Sequence, residues 1–383
     1  MSFTLPHQSR CIVAQLAEPD RPRFFAGTSS VFNGSGAENE LRLLDFDEDT
    51  NEVSSQSFAH PSQIRSIAPA IDKADFVFTV STEAKIGATP SASLFLLSAL
   101  STIDDKGEKL ANAAGSLSLL LRIESSNSLK NISNVFWDPT GDKSRVIATG
   151  TNAVGVFAID RALSKATLQS TYSIPSTASS DVLTESIDCG KWNPHNTDEF
   201  AFAAGHSLFG LDLRAPPTTS TFSIPYAHDQ CIRDIDYNPN KPYYLATGGN
   251  DGRVRIWDSR NVTKPLKDLN NHTHWVWSVA YNKFHDQLLL SSSSDCLVNL
   301  HNVVSVSSTP FGLIRSMDSD EEGLDGIYSK TTDELIATYR EFEDSVYSVA
   351  WSSADPWIFA SVSFDGRVNI NIVPKEVKYS IIL

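Results

Sequence analysis

Apolar and polar residues alternate in short runs along most of the chain, and each run ends on turn-forming residues. Alternation with a period of two sends one face of a strand inward and the other outward. The stretch HTHWVWSVAYN, residues 272–282, shows the pattern. Trp275 and Trp277 stand two apart, so a strand here presents both indoles on one side. No long helical periodicity competes with these runs, and the pattern predicts an all-β protein.

The runs repeat. YYLATGGNDGRVRIWDSR (243–260), QLLLSSSSDCLVNLHNVV (287–304) and WIFASVSFDGRVNINIVP (357–374) align on Asp251, Asp295 and Asp365. Each is an apolar strand, a small polar cluster, Asp, a turn and a second alternating strand. A further strand precedes each one: CIRDIDYNP, WVWSVAYNK and SVYSVAWSS. Counting units by their first strand gives starts near residues 10, 64, 132, 187, 232, 276 and 346. The tightest spacing, about 44 residues, is the length of a four-stranded propeller blade. The expectation is one seven-bladed β-propeller spanning residues 1–383 as a single domain. Residues 101–130 and 312–335 read as loop insertions, the second acidic and expected to be disordered. The terminal VKYSIIL reads as the outer strand of the last blade, with an N-terminal strand as the alternative.

One blade carries His228, Thr247, Asp251 and Trp257 at the spacing of the WD-repeat tetrad, a hydrogen-bonded chain that holds a blade together. The next offers His272, Ser291 and Asp295, with His301 in place of Trp. The last keeps Ser361 and Asp365, with Phe342 and Asn371 where His and Trp would stand. These two networks read as degraded. His, Ser/Thr and Asp together invite a catalytic interpretation. Here they recur in one structural register, whereas an active site occurs once. No phosphate-binding glycine loop is present, and His272 and His274 have no third ligand in frame. A non-enzymatic protein without metal or cofactor is expected.

Charge narrows the partners. With 31 basic and 46 acidic residues the formal charge is −15, which repels nucleic acid. The four cysteines are widely spaced, as in a reduced cytoplasmic protein. No apolar run is long enough to insert into a membrane. Ser319, followed by acids in SMDSDEEGLDG, is a candidate site for an acid-directed kinase.

Propellers usually bind partners on the channel rim or the blade tops, and the resemblance to WD repeats implies that residues at the start of the inner strands and the residue before the turn Asp line that face. Those positions hold Arg65, Arg233, Trp277 and Tyr347, with Trp275 two residues earlier and Phe364 before Asp365. Trp, Tyr and Arg dominate binding hot spots. The Arg233–Trp275–Trp277–Tyr347–Phe364 arc is therefore the expected protein-docking surface, on a propeller expected to be monomeric.

The segments NPNKPYYLATGGNDGRVRIWDSRNVTKPLKDL, HTHWVWSVAYNKFHDQLLLSSSSD, VVSVSSTPFG, EDSVYSVAWSSADPWIFASVSFDGRV and VPKEVKYSIIL resemble the EARP/GARP-interacting WD-repeat family. Upstream, RCIVAQL, LLDFDEDTN and KWNPHN stand in the family's order. The resemblance implies a non-catalytic adaptor for subunits of two vesicle-tethering complexes, the endosome-associated recycling protein complex and the Golgi-associated retrograde protein complex. It implies roles in endosomal recycling and endosome-to-Golgi retrograde transport, with recruitment to trans-Golgi network and endosome membranes through partners. A second reading rests on IWDSR. Its Asp258 and Arg260 match the WD-x-R ending by which some propellers dock on a cullin-RING ubiquitin ligase as substrate receptors.

Overall fold

The computed structural model describes residues 1–30, 39–83, 85, 87–98, 114–141, 144–174, 186–216, 219–308 and 333–382. Among these, the long strands fall into seven antiparallel units of four, with the first two units joined into one eight-stranded sheet. The innermost strands are Ser9–Ala14, Gln63–Pro69, Asn134–Trp137, Ile187–Trp192, Ile232–Tyr237, Val276–Tyr281 and Val346–Trp351. Each lies beside the innermost strand of the next unit, and Val346–Trp351 lies beside Ser9–Ala14, which closes a ring. The units are called blades one to seven in that order.

The apolar faces of the strands fill the gaps between blades. Seven buried apolar clusters occur among the described residues, and each straddles two adjacent blades. Trp137, Trp192, Tyr237, Tyr281 and Trp351 end their strands in these layers and are buried. Two of the indoles also stitch blades together. Trp137 Nε1–H donates to the Ala68 carbonyl and Trp351 Nε1–H to the Ala280 carbonyl, each at 3.0 Å.

Polar links on the inner strands add to this. Asp234 accepts from the Ser278 hydroxyl at 2.8 Å and the Val279 N–H at 3.0 Å. Asp236 accepts from the Tyr281 N–H at 2.8 Å and pairs with Lys191 at 3.0 Å. These contacts tie blades four, five and six. Burial pushes the Asp234 carboxyl up to about 6, against the opposing pull of Lys191.

Blade seven is closed by the N-terminus. Ser2–Thr4 pairs with Arg367–Ile372, and the Met1 ammonium donates to the Ile370 carbonyl at 2.8 Å. The expected C-terminal strand is instead the helix Lys375–Ile382. The sheet edge it would have joined is already occupied, so its backbone bonds within itself, beginning at the Pro374 carbonyl. Val377 and Ile381 pack against the layer between blades six and seven.

The insertion expected at 101–130 is shorter. Ala114–Ile123 is the outer strand of blade two and pairs with Ser91–Ser98. Its first residues also run parallel to Ser57 and Phe58 of blade one. Gly115 permits that approach, since a side chain there would run into the Phe58 ring. Residues 101–113 lie outside the described residues. Of the second insertion, 312–332 lie outside them, and Glu334–Tyr339 is the outer strand of blade six.

The turn after each aligned Asp needs a left-handed residue. Gly252 and Gly366 take φ of +76° and +86°. In blade six that place falls to Cys296, at φ +66°. A side chain costs about 1 kcal/mol in this region. Cys296→Gly is expected to stabilise the chain by about 0.5–1 kcal/mol, seen as a higher urea midpoint with unchanged slope. A lower midpoint would contradict the strain.

Candidate docking surface and the tetrads beneath it

Six innermost strands break register at the same point. The breaks fall between Ser9 and Cys11, Ile64 and Ser66, Ile187 and Cys189, Ile232 and Asp234, Val276 and Ser278, and Val346 and Ser348. The residues stepped over are Arg10, Arg65, Asp188, Arg233, Trp277 and Tyr347. A bulge removes one residue from the ladder and re-aims its side chain. In blade three Ser133 holds the equivalent place, with its N–H donating to the Thr149 carbonyl at 2.8 Å.

The bulge residues meet one another around the ring. Arg233 approaches Asp188 at 3.8 Å and lies over the Trp277 ring at 5.2 Å. Trp277 and Tyr347 have ring centroids 4.6 Å apart. Arg10 lies over Tyr347 at 5.2 Å and over Phe364 at 5.1 Å. Arg65 feels the charge of Arg10: desolvation and that repulsion both lower its proton affinity. Trp275 extends the arc outward, edge-on to Trp277 at 5.8 Å, with His274 against it at 5.2 Å. The contacts thus join the predicted Arg233, Trp275, Trp277, Tyr347 and Phe364, and Arg10 links this arc to Arg65.

The surface is anchored from below. The residues before the turn Asp are pinned by their backbone: Asn250 N–H to the Cys231 carbonyl, Ser294 to Trp275 and Phe364 to Ser345, each at 2.9 Å. Asn250 also accepts from Arg233 Nε at 2.8 Å. Trp277 Nε1–H donates to the Ser294 hydroxyl at 2.6 Å. That bond holds the indole so that its ring, not its N–H, faces outward. Trp275 is 40% exposed, whereas Trp277, Tyr347 and Phe364 are half-buried. The two indoles therefore differ: one stands open and the other is wedged into the arc.

Arg10 was missing from the expected set. RCIVAQL carries it in the same frame as Arg65 in HPSQIRSI, near the start of the inner strand. Aligning the first blade with the others would have found it.

The tetrads lie directly beneath. In blade five, Trp257 Nε1–H donates to Thr247 Oγ1 at 3.0 Å. Thr247 stands 2.7 Å from His228 Nε2, and His228 Nδ1 stands 2.9 Å from Asp251. The indole is only a donor, which fixes the direction of the chain. Thr247 donates to Nε2, and Nδ1–H donates to the carboxylate. Burial would raise the Asp251 carboxyl, but the hydrogen bond from His228, the Asp229 N–H and the charge of Arg255 bring it down to about 2.

Blade six corrects an expectation, because its network is complete. His272 stands 2.9 Å from Asp295 and 2.8 Å from Ser291, and Ser291 stands 2.9 Å from His301 Nε2. Here the Asp295 carboxylate is only an acceptor, so His272 donates from Nδ1 and accepts from Ser291 at Nε2, and His301 is the Nε2–H donor that stands in for the indole. Burial, then the neighbouring His272, lowers His301 to about 3. Blade seven is broken as expected. Ser361 bonds the Asn369 carbonyl at 3.4 Å, Asp365 takes the Ser363 hydroxyl, and Asn371 reaches Glu341 at 3.2 Å.

A partial set in blade two was missed. His60 Nε2 lies 3.0 Å from Thr79 Oγ1 and Nδ1 lies 2.8 Å from the Ser62 carbonyl. The interval of 19 residues from His to hydroxyl is shared with His228 and His272. That interval was the available signal. Burial lowers His60 to about 4, against the Ser62 bond.

Thr247, Ser291 and His228 are fully buried, so no substrate reaches these hydroxyls. Asp258 and Arg260 pair with each other through Nε at 2.9 Å and Nη2 at 2.7 Å, and the guanidinium stacks on Tyr243 at 4.4 Å. Asp212 and Arg214 repeat this fork in blade four at 3.0 and 2.9 Å. The Asp-x-Arg geometry is thus a strand-ending device of this propeller and does not single out a ligase-docking site. Ser319 lies outside the described residues. Among the described residues no cluster of three or more His, Cys, Asp or Glu side chains is arranged to hold a metal, and no helix is long and apolar enough to cross a membrane.

Comparison with known proteins agrees with this geometry. A family described as EIPR1 beta-propeller matches residues 1–301, and a WD domain, G-beta repeat, matches 333–370. The chain is 37% identical to EARP and GARP complex-interacting protein 1 of Rattus norvegicus over 390 aligned residues, covering 100% of this chain and 98% of the relative. It is 36% identical to the EARP-interacting protein homolog of Gekko japonicus and to the Homo sapiens EARP and GARP complex-interacting protein 1, with the same coverage in each case. Ring closure, the WD tetrads and a likeness that runs from end to end place this chain in the EIPR1 β-propeller family.

Proposed function

We propose that the protein is a non-catalytic adaptor that binds the EARP and GARP tethering complexes through the arc of Arg10, Arg233, Trp275, Trp277, Tyr347 and Phe364. The observation that carries the reading is the continuity of that arc. Neighbouring blades each contribute a hot-spot residue to one surface, in a chain whose full-length relatives are named for binding those complexes. Bound there, the protein supports endosomal recycling and endosome-to-Golgi retrograde transport. It acts as a monomeric propeller and reaches trans-Golgi network and endosome membranes through its partners.

Trp277→Ala tests the docking. The side chain is half-buried and hydrogen-bonded only to Ser294 among the described residues, so the fold survives its loss. Affinity of the purified chain for purified EARP and GARP complexes should fall about 30-fold or more, the equivalent of about 2 kcal/mol for a central aromatic hot spot. Unchanged affinity in a folded variant would remove the arc from the interface.

A further inference from the structure

We propose that the arc recognises an acidic protein segment bearing an apolar or aromatic side chain. That side chain lies on Trp275, Trp277 and Tyr347, and the segment's carboxylates meet Arg10 and Arg65. The proposal deepens the docking reading above and rests on it.

Charge on this surface is unbalanced. The protein carries a formal charge of −15, yet the bulges of two neighbouring inner strands, Ser9–Ala14 and Gln63–Pro69, both place an exposed arginine on this surface, Arg10 and Arg65. Arg233 is different: Asp188 and Asn250 already take its donors. Among the described residues no carboxylate lies within ion-pair distance of Arg10 or Arg65. Arg10 lies over the Tyr347 and Phe364 rings and is exposed, so an incoming group can reach its N–H donors. Like charges on neighbouring strands repel each other, and Asp188, the carboxylate among the bulge residues, is taken by Arg233. An incoming carboxylate would offset that repulsion, by a two-armed contact that guanidinium geometry favours. The aromatic floor beside the pair offers ring faces, because the Trp277 N–H is already used. Together they select a segment with acid and apolar groups a few residues apart.

An anionic membrane is the competing source of negative charge. Two arginines supply only about 1 kcal/mol each toward such a surface. The remaining chain, net negative, is repelled by it.

The test uses the full chain, purified EARP and GARP complexes, and vesicles of phosphatidylcholine with phosphatidylserine and phosphatidylinositol 4-phosphate. The variants are Arg10→Glu/Arg65→Glu and Trp277→Ala, with the milder Arg10→Gln should the double variant fail to fold. The proposal expects the Glu variant to bind at least tenfold more weakly. It also expects wild-type affinity to fall with salt more steeply than that of the Glu variant. Full binding by the Glu variant, with binding lost in Trp277→Ala, overturns the acidic segment and leaves the docking arc standing. Full binding by both variants, or no binding by wild type, overturns both readings. Vesicle binding that disappears in the Glu variant while complex binding persists assigns the arginines to lipid and overturns the proposal.

Discussion

Thr247→Val should cost the protein about 2–4 kcal/mol while changing almost no volume. The Thr247 hydroxyl is the middle of the chain from Trp257 to His228 and is fully buried. It accepts one hydrogen bond and donates the other. Valine fills the same space but leaves an indole N–H without an acceptor and an imidazole nitrogen without a donor. Each buried orphan costs about 1–3 kcal/mol. Thr247→Ser keeps both bonds, as Ser291 does in the next blade, and should stay within about 1 kcal/mol of wild type. Urea unfolding measures the difference between the two variants. Equal losses would show that the packing of the methyl, not the hydroxyl, matters here.

The second large effect is on acid stability. His60 and His301 are held at about 4 and 3 in the fold, against about 6.5 in an unfolded chain. Their folded values are depressed, so the stability they contribute is present above about 6.5 and is lost as pH falls toward 4 and 3. Each loses about 2 kcal/mol by pH 5. Asp234 works the other way. Its folded value is raised to about 6, so it takes up a proton in the fold and returns about 1 kcal/mol over the same range. The net expectation is a loss of about 2–3 kcal/mol between pH 7 and pH 5. Asp251, held at about 2, withdraws its contribution only in more acidic solution. His301→Gln retains an amide donor for Ser291 and removes one titrating group. Its stability should depend on pH by one proton fewer than wild type. An unchanged slope would contradict a neutral buried His301.

Much of this was readable in advance because repetition carried it. The alignment on Asp251, Asp295 and Asp365 set the register, and the register located the inner-strand positions. Trp275, Trp277, Tyr347 and Phe364 followed from that frame, and the structure brings them into contact. What was not readable lay in choices between competing local solutions. VKYSIIL has strand-like residues, but its role depends on whether a distant N-terminus has already taken the sheet edge. Ala114–Ile123 follows a polar run and was absorbed into it. His301 differs from Trp in residue type but keeps the ring N–H donor that the position needs, which residue type alone does not reveal. Arg10 is hard to place from sequence because the first blade lacks the aligned Asp and His that set the frame in the others. The bulges that aim these residues at one another leave no compositional trace.

The proposed docking puts one end of the ring against the tethering complex. Trp275 precedes an inner strand and Phe284 follows it, so the two exposed side chains mark opposite ends of the same blade. A photo-reactive residue placed at 275, and separately at 284, reports which end touches a subunit of the purified EARP or GARP complex. The account predicts a cross-linked subunit from position 275 and none from 284. Cross-linking from 284 alone would put the partner on the other end and contradict it.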